Sequence, residues 1–204
     1  MDDSFKKIKY DKLVFELKFL EADLHYHDSI LEKGSAEFDA QCRQAIKSRG
    51  LEEIFYGEKS AAEQHAKQQA SEDRSEKKTK ASRDTEQLFR KIATMTHPDK
   101  LLNLNPEDRK AREKLFCEAQ IAKSDDDLLK LHLIASDLGL AVPEVSLENL
   151  LMFENKIAQM KGQIDAKKAT WMWNWLLSPP DKKDNLMNDY VQFMIQTISK
   201  KEAE

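Results

Sequence analysis

His97, Pro98 and Asp99 set an imidazole and a carboxylate two residues apart with a rigid imino acid between them. Such a set could serve as a general base with its orienting acid, share a metal ion, or present a donor and an anion to a protein partner. Two groups separated by a proline are badly placed to act as base and orienter, and the sequence has no Gly-rich phosphate loop and no nucleophile elbow. No enzyme activity and no cofactor are expected. Metal binding lacks the other ligands, because no His, Cys or Glu falls at metal spacing around the tripeptide. The second pair, His25 and His27, lies two apart on a helical pattern and does not share a face, so metal: none is the expectation there too. Presentation to a partner fits best, since Pro98 presets the loop and lowers the entropy lost on binding. Arg90, Lys91 and Lys100 add cations around it, although on residues alone a helix-end histidine and a solvated charged face stay open.

The elements that would hold this tripeptide are legible. Asp84, followed by Gln87, reads as the N-cap of a helix whose apolar face is Leu88, Phe89, Ile92, Ala93 and Met95, and Pro98 stops it near Thr96. Asn105 caps the next helix, with Pro106 at its first position and Glu107 and Asp108 in its first turn. Ala111, Leu115, Phe116, Ala119 and Ala122 form its stripe. Two antiparallel helices should therefore pack through Leu88, Phe89, Ile92, Leu115 and Phe116. Ser124 with three aspartates reads as the cap of a further helix bearing Leu128, Leu131, Ile134, Ala135 and Leu138, with Gly139 as its C-terminal stop.

An aromatic, two basic residues, an aliphatic and an alanine (Phe89-Arg90-Lys91-Ile92-Ala93) stand eight to four residues before His97, and "AREKLFCEAQIAKSDDD" follows. Over about forty residues, Asp84 to Asp125, this resembles the J-domain of DnaJ-type co-chaperones, with its His-Pro-Asp loop between two helices. The resemblance implies docking on a DnaK-type ATPase chaperone through His97, Pro98, Asp99, Arg90, Lys91 and Lys100, and stimulation of that partner's ATP hydrolysis for an unknown client protein. The family's first helix usually lies about ten residues upstream, where this chain has the polar "EDRSEKKTKAS". Its packing role is expected to fall to the N-terminal helices or the C-terminal hairpin. The chain has no Gly/Phe-rich linker and no Cys-x-x-Cys-x-Gly repeats, which leaves the class that shares only the J-domain. The other reading is a coiled-coil adaptor or scaffold whose J-like hairpin is degenerate and stimulates nothing.

The remaining chain is helical in pattern. With 34% charged residues, 40% apolar ones and only 5 Gly and 5 Pro, the composition favours an all-α fold. Residues 1–57 read as a helical hairpin or coiled coil: Leu13, Leu17, Leu20, Leu24, His27 and Leu31 form a heptad seam open either to homo-oligomer formation or to an intramolecular bundle, weakened at Gly34 and Ser35 and ended near Gly50. Residues 58–83 read as a polar, partly helical spacer, residues 84–140 as the J-domain-like unit, and residues 141–204 as an antiparallel helical hairpin. In that hairpin the stripe Leu150, Phe153, Ile157, Met160 and Ile164 runs on to Trp171 through a break at Lys167, and "SPPD" separates it from a last helix. Of Trp171, Trp173 and Trp175, one face should pack and the other is a candidate second interaction surface. A net charge of −4 leaves nucleic acid an unexpected partner. No apolar run nears the roughly 20 residues that cross a bilayer, and Cys42 and Cys117 read as free, partly buried thiols, so a cytoplasmic protein is expected.

Overall fold

A computed structural model describes residues 3–56, 82–140 and 145–202, and every regular element among them is helical. The fold is all-α. Its helices are α1 (Asp3–Ser48), α2 (Glu52–Tyr56), α3 (Arg83–Thr96), α4 (Pro106–Ser124), α5 (Leu128–Asp137), α6 (Leu147–Lys168), α7 (Trp171–Leu177) and α8 (Pro180–Glu202), with a 3₁₀ turn at Pro98–Lys100. Most of the expected spacer, and residues 141–144, lie outside the described residues. None of the described helices is long and apolar enough to cross a membrane.

The chain divides into two compact units, one of residues 1–21 and 75–160, the other of 22–74 and 161–204. The division does not follow chain order, because α1 and α6 each contribute one end to each unit. The N-terminal segment is a single 46-residue helix, not a hairpin. Gly34 fails to break it for a packing reason: a Cβ there would collide with the side chain of Leu176, so the glycine marks close contact rather than a turn. The helix ends where expected, at Gly50, whose φ of 66° allows its N–H to reach Lys47 O and that of Leu51 to reach Ile46 O.

The leucine seam of α1 is spent inside the chain. Leu13, Leu17 and Leu20 are buried in the first unit and His27 in the second, so of the two uses open to this seam the intramolecular one is realised. His27 stacks on Trp173 at 4.5 Å and its Nδ1 lies 2.7 Å from the carbonyl of Asp23, so it is a packed core residue.

The tryptophan surface is also corrected. α6 stops at Lys168 and Thr170 caps a separate helix, accepting from Trp173 N. That re-entry buries Trp173 and Trp175 together, with Trp175 packed against Phe38 and Met187, while Trp171 is half-buried against Tyr190 and Phe193. Trp175 Nε1 donates to Lys183 O, and the Lys183 ammonium lies over its ring at 4.1 Å. Two of the three indoles are thus core. Cys42 is half-buried, and burial followed by the Asp39 charge pushes its thiol pKa up; Cys117, contrary to expectation, is exposed.

Candidate functional site: a His-Pro-Asp turn on a helical hairpin

α3 starts two residues before the expected cap. Ser82, not Asp84, is the N-cap, and its Oγ accepts from Thr85 N. Thr85 is fully buried and donates to Asp126 Oδ1 at 2.5 Å, so the Ser82 hydroxyl is left to donate to Thr85 Oγ1. Asp126 Oδ1 also accepts from Ser82 N at 2.9 Å. One carboxylate therefore ties the start of α3 to the turn after α4. Asp126 occupies that turn with φ of 53°, the left-handed position usually given to glycine. Ser124 falls in the last turn of α4, and Asp127 caps α5 in its stead by accepting from Lys130 N.

Asp126→Ala is expected to cost about 1–2 kcal/mol, because it strands the buried Thr85 hydroxyl and the Ser82 amide. Urea denaturation checks it. The bonds from Thr85, then from Ser82, hold the Asp126 carboxyl below its usual pKa, so its contribution is present above the ordinary carboxylate range and disappears as pH falls through the lowered value.

The hairpin core contains Leu88 and Ile92 of α3 with Ala119 and Ala122 of α4, all buried, and Phe89 and Leu115 packed at its edge. Phe116 sits outside this core, 6.3 Å from the Phe89 ring and 5.4 Å, edge to face, from the His97 ring. What closes the apolar face is α5, through Leu131, Ile134 and Ala135. Among the described residues this cluster is completed by neither the N-terminal helices nor the C-terminal hairpin, but by a ten-residue helix that follows directly after α4.

The His-Pro-Asp turn is pinned at both ends. Thr96 is fully buried and its hydroxyl donates to Ile92 O, while Leu101 on the other side is 1% exposed. Between these anchors His97 N donates to Ala93 O, Lys100 N to His97 O and Leu101 N to Pro98 O. Arg112 of α4 reaches across to Met95 O and fastens the mouth of the hairpin. The side chains of His97 and Asp99 keep 47% and 86% of their surface in solvent. His97 Nδ1 accepts weakly from Asp99 N at 3.4 Å, an arrangement that puts the proton of a neutral ring on Nε2.

Arg90, Lys91 and Lys100 are exposed as well. Arg90 bridges to Glu86 at 2.9 Å, an i, i+4 surface pair worth only about 0.3–0.5 kcal/mol. His97, Pro98, Asp99 and Lys100 share one turn, while Arg90 and Lys91 stand on α3 about two helical turns before it. Thr96, Leu101, Arg112 and the Ser82, Thr85 and Asp126 tie were not read from sequence. Leu101 had a signal, an apolar residue directly after the turn, whereas Arg112 and Asp126 act through the tertiary fold. Among the described residues no group of three His, Cys, Asp or Glu side chains is placed to hold a metal ion.

Compared with protein families, with characterised proteins and with solved structures, the chain finds no match.

Proposed function

We propose that this protein is a J-domain co-chaperone, which docks on a DnaK-type ATPase chaperone through His97, Pro98 and Asp99 and the basic face of α3, and stimulates the partner's ATP hydrolysis. The observation that carries this reading is a turn whose functional side chains are exposed while its flanking residues, Thr96 and Leu101, are buried. His97 is partly engaged, its ring against Phe116 and its Nδ1 near Asp99, yet about half of its side chain and most of that of Asp99 remain in solvent, which supports an external contact. Asp99 offers a carboxylate to a partner arginine, with two-point geometry supplying specificity. His97 contributes the Nε2 donor, and its ring is backed by Phe116. Arg90, Lys91 and Lys100 steer the encounter with an acidic surface.

Steady-state ATP hydrolysis by a DnaK-type chaperone tests the proposal. The protein is expected to raise the rate, and His97→Gln, at an exposed position, to remove about nine-tenths of the stimulation or more, a loss of about 1.4 kcal/mol. Circular dichroism of the variant should be unchanged. Absent stimulation, or equal stimulation by the variant, overturns the reading and leaves the adaptor with a degenerate hairpin.

A further inference from the structure

α1 carries a second apolar seam on the side opposite its leucines. Phe5, Ile8, Phe15, Phe19 and Tyr26 are each between 57% and 68% exposed, an unusual degree for aromatic and aliphatic side chains on one helix. With Lys12 and Ala22 they occupy positions 5, 8, 12, 15, 19, 22 and 26 of an unbroken helix, alternating steps of three and four. That spacing is the heptad repeat of a helix that meets another helix lengthwise.

We propose that this outer face of α1 is a docking site for a second copy of the same chain, the two helices pairing antiparallel. The register follows from side-chain size. An antiparallel pair centred between Phe15 and Phe19 sets Phe15 against the partner's Phe19 and Ile8 against the partner's Tyr26. The one charged seam residue, Lys12, then falls opposite the partner's Ala22, the smallest, where its stem can lie along the seam and its ammonium can reach water. A seam that places its largest residues together and its lysine against alanine is self-complementary, as a two-fold interface requires.

The charges beside the seam favour a helix over a lipid surface. Lys9, Glu16 and Asp23 stand along one edge and Asp11 and Lys18 along the other, with Lys12 between; Lys9 and Lys18 are already paired with Glu154 and Asp137, so the border carries no basic excess. An interfacial membrane helix would carry a basic border. The segment 57–81 is no better an occupant, since its only apolar residues are alanines. Five large side chains exposing on the order of 100 Å² each give about 1,000 Å² over both copies, near the lower end of specific interfaces. The expected dimer is therefore a weak, micromolar one.

Sedimentation equilibrium of the full chain over roughly 1–200 µM is expected to show a monomer–dimer equilibrium, which Phe15→Glu/Phe19→Glu abolishes without loss of helix content. Orientation is read by thiol cross-linking in a Cys42→Ser/Cys117→Ser background. Mixed Phe15→Cys and Phe19→Cys proteins should cross-link to each other in preference to themselves. A monomer throughout, a dimer insensitive to the glutamates, or self-linking of Phe15→Cys overturns the proposal. So does binding of the monomer to phosphatidylcholine vesicles lost in the glutamate variant, which would assign the seam to lipid.

Discussion

Asp99→Asn is expected to weaken capture of an ATP-bound DnaK-type chaperone by roughly 30-fold or more, about 2 kcal/mol, while Lys91→Glu changes mainly the association rate. Within the proposed docking surface the two residues differ in what their surroundings let them do. Asp99 stands on a turn pinned by buried Thr96 and Leu101, so its carboxylate reaches a partner in one geometry and little entropy is lost in fixing it. An amide of the same shape keeps the geometry and loses the charge-assisted bond, which raises dissociation. Lys91 is a solvated ammonium on the outer face of α3, and its contribution is long-range attraction that salt screens within about 10 Å at 0.1 M. Surface plasmon resonance at two ionic strengths separates the effects. Asp99→Asn should act on dissociation at both, and Lys91→Glu should act on association most strongly at low salt. Indistinguishable kinetic profiles for the two variants would show that the turn does not dock as proposed.

The hairpin was legible because its signals are local. Pro98 stops α3, Asn105 and Pro106 start α4, and the apolar stripes of both helices repeat at helical spacing, so their pairing needed no long-range information. The errors fall where a residue's role depends on a distant partner. Gly34 reads as a break until Leu176 is placed against it. The leucines of α1 leave two uses open, because one sequence cannot say whether a heptad meets its own chain or another, and in the structure that seam is filled intramolecularly while Phe15 and Phe19 on the opposite face remain exposed. The aromatics escaped notice because the leucine pattern already accounted for the helix. Trp173 and Trp175 look opposed on a straight helix, yet the break before Thr170 lets both be buried. Asp84 with Gln87 imitates a capping box, whereas the cap is Ser82, whose Oγ accepts from Thr85 N and whose own amide is held by Asp126, 44 residues away.

His132 gives the first unit a steep dependence on acid. It sits on α5, whose other face closes the hairpin, and it is 4% exposed between the rings of Tyr10 from α1 and Phe153 from α6, at 5.4 and 5.6 Å. The Tyr10 hydroxyl lies 2.9 Å from its Nδ1, and burial, with the Asp11 charge behind it, pushes the Tyr10 pKa up, so the phenol stays protonated. Burial likewise lowers the His132 pKa from 6.5 to about 4, only partly opposed by the negative charge of Asp84. The folded chain therefore holds this imidazole neutral while the unfolded chain protonates it below pH 6.5. Stability from this group is complete above pH 6.5 and falls away between there and about pH 4, a total of about 3 kcal/mol at about 1.4 kcal/mol per pH unit. His132→Gln should be less stable at neutral pH, because it loses ring packing, but its own stability should fall less on acidification. The gap between wild type and variant, measured by urea denaturation at several pH values, is expected to narrow steadily from pH 6.5 to 4.5. Parallel curves would mean that His132 is not the group through which acid loosens the packing of α5, and with it the support behind the His-Pro-Asp turn.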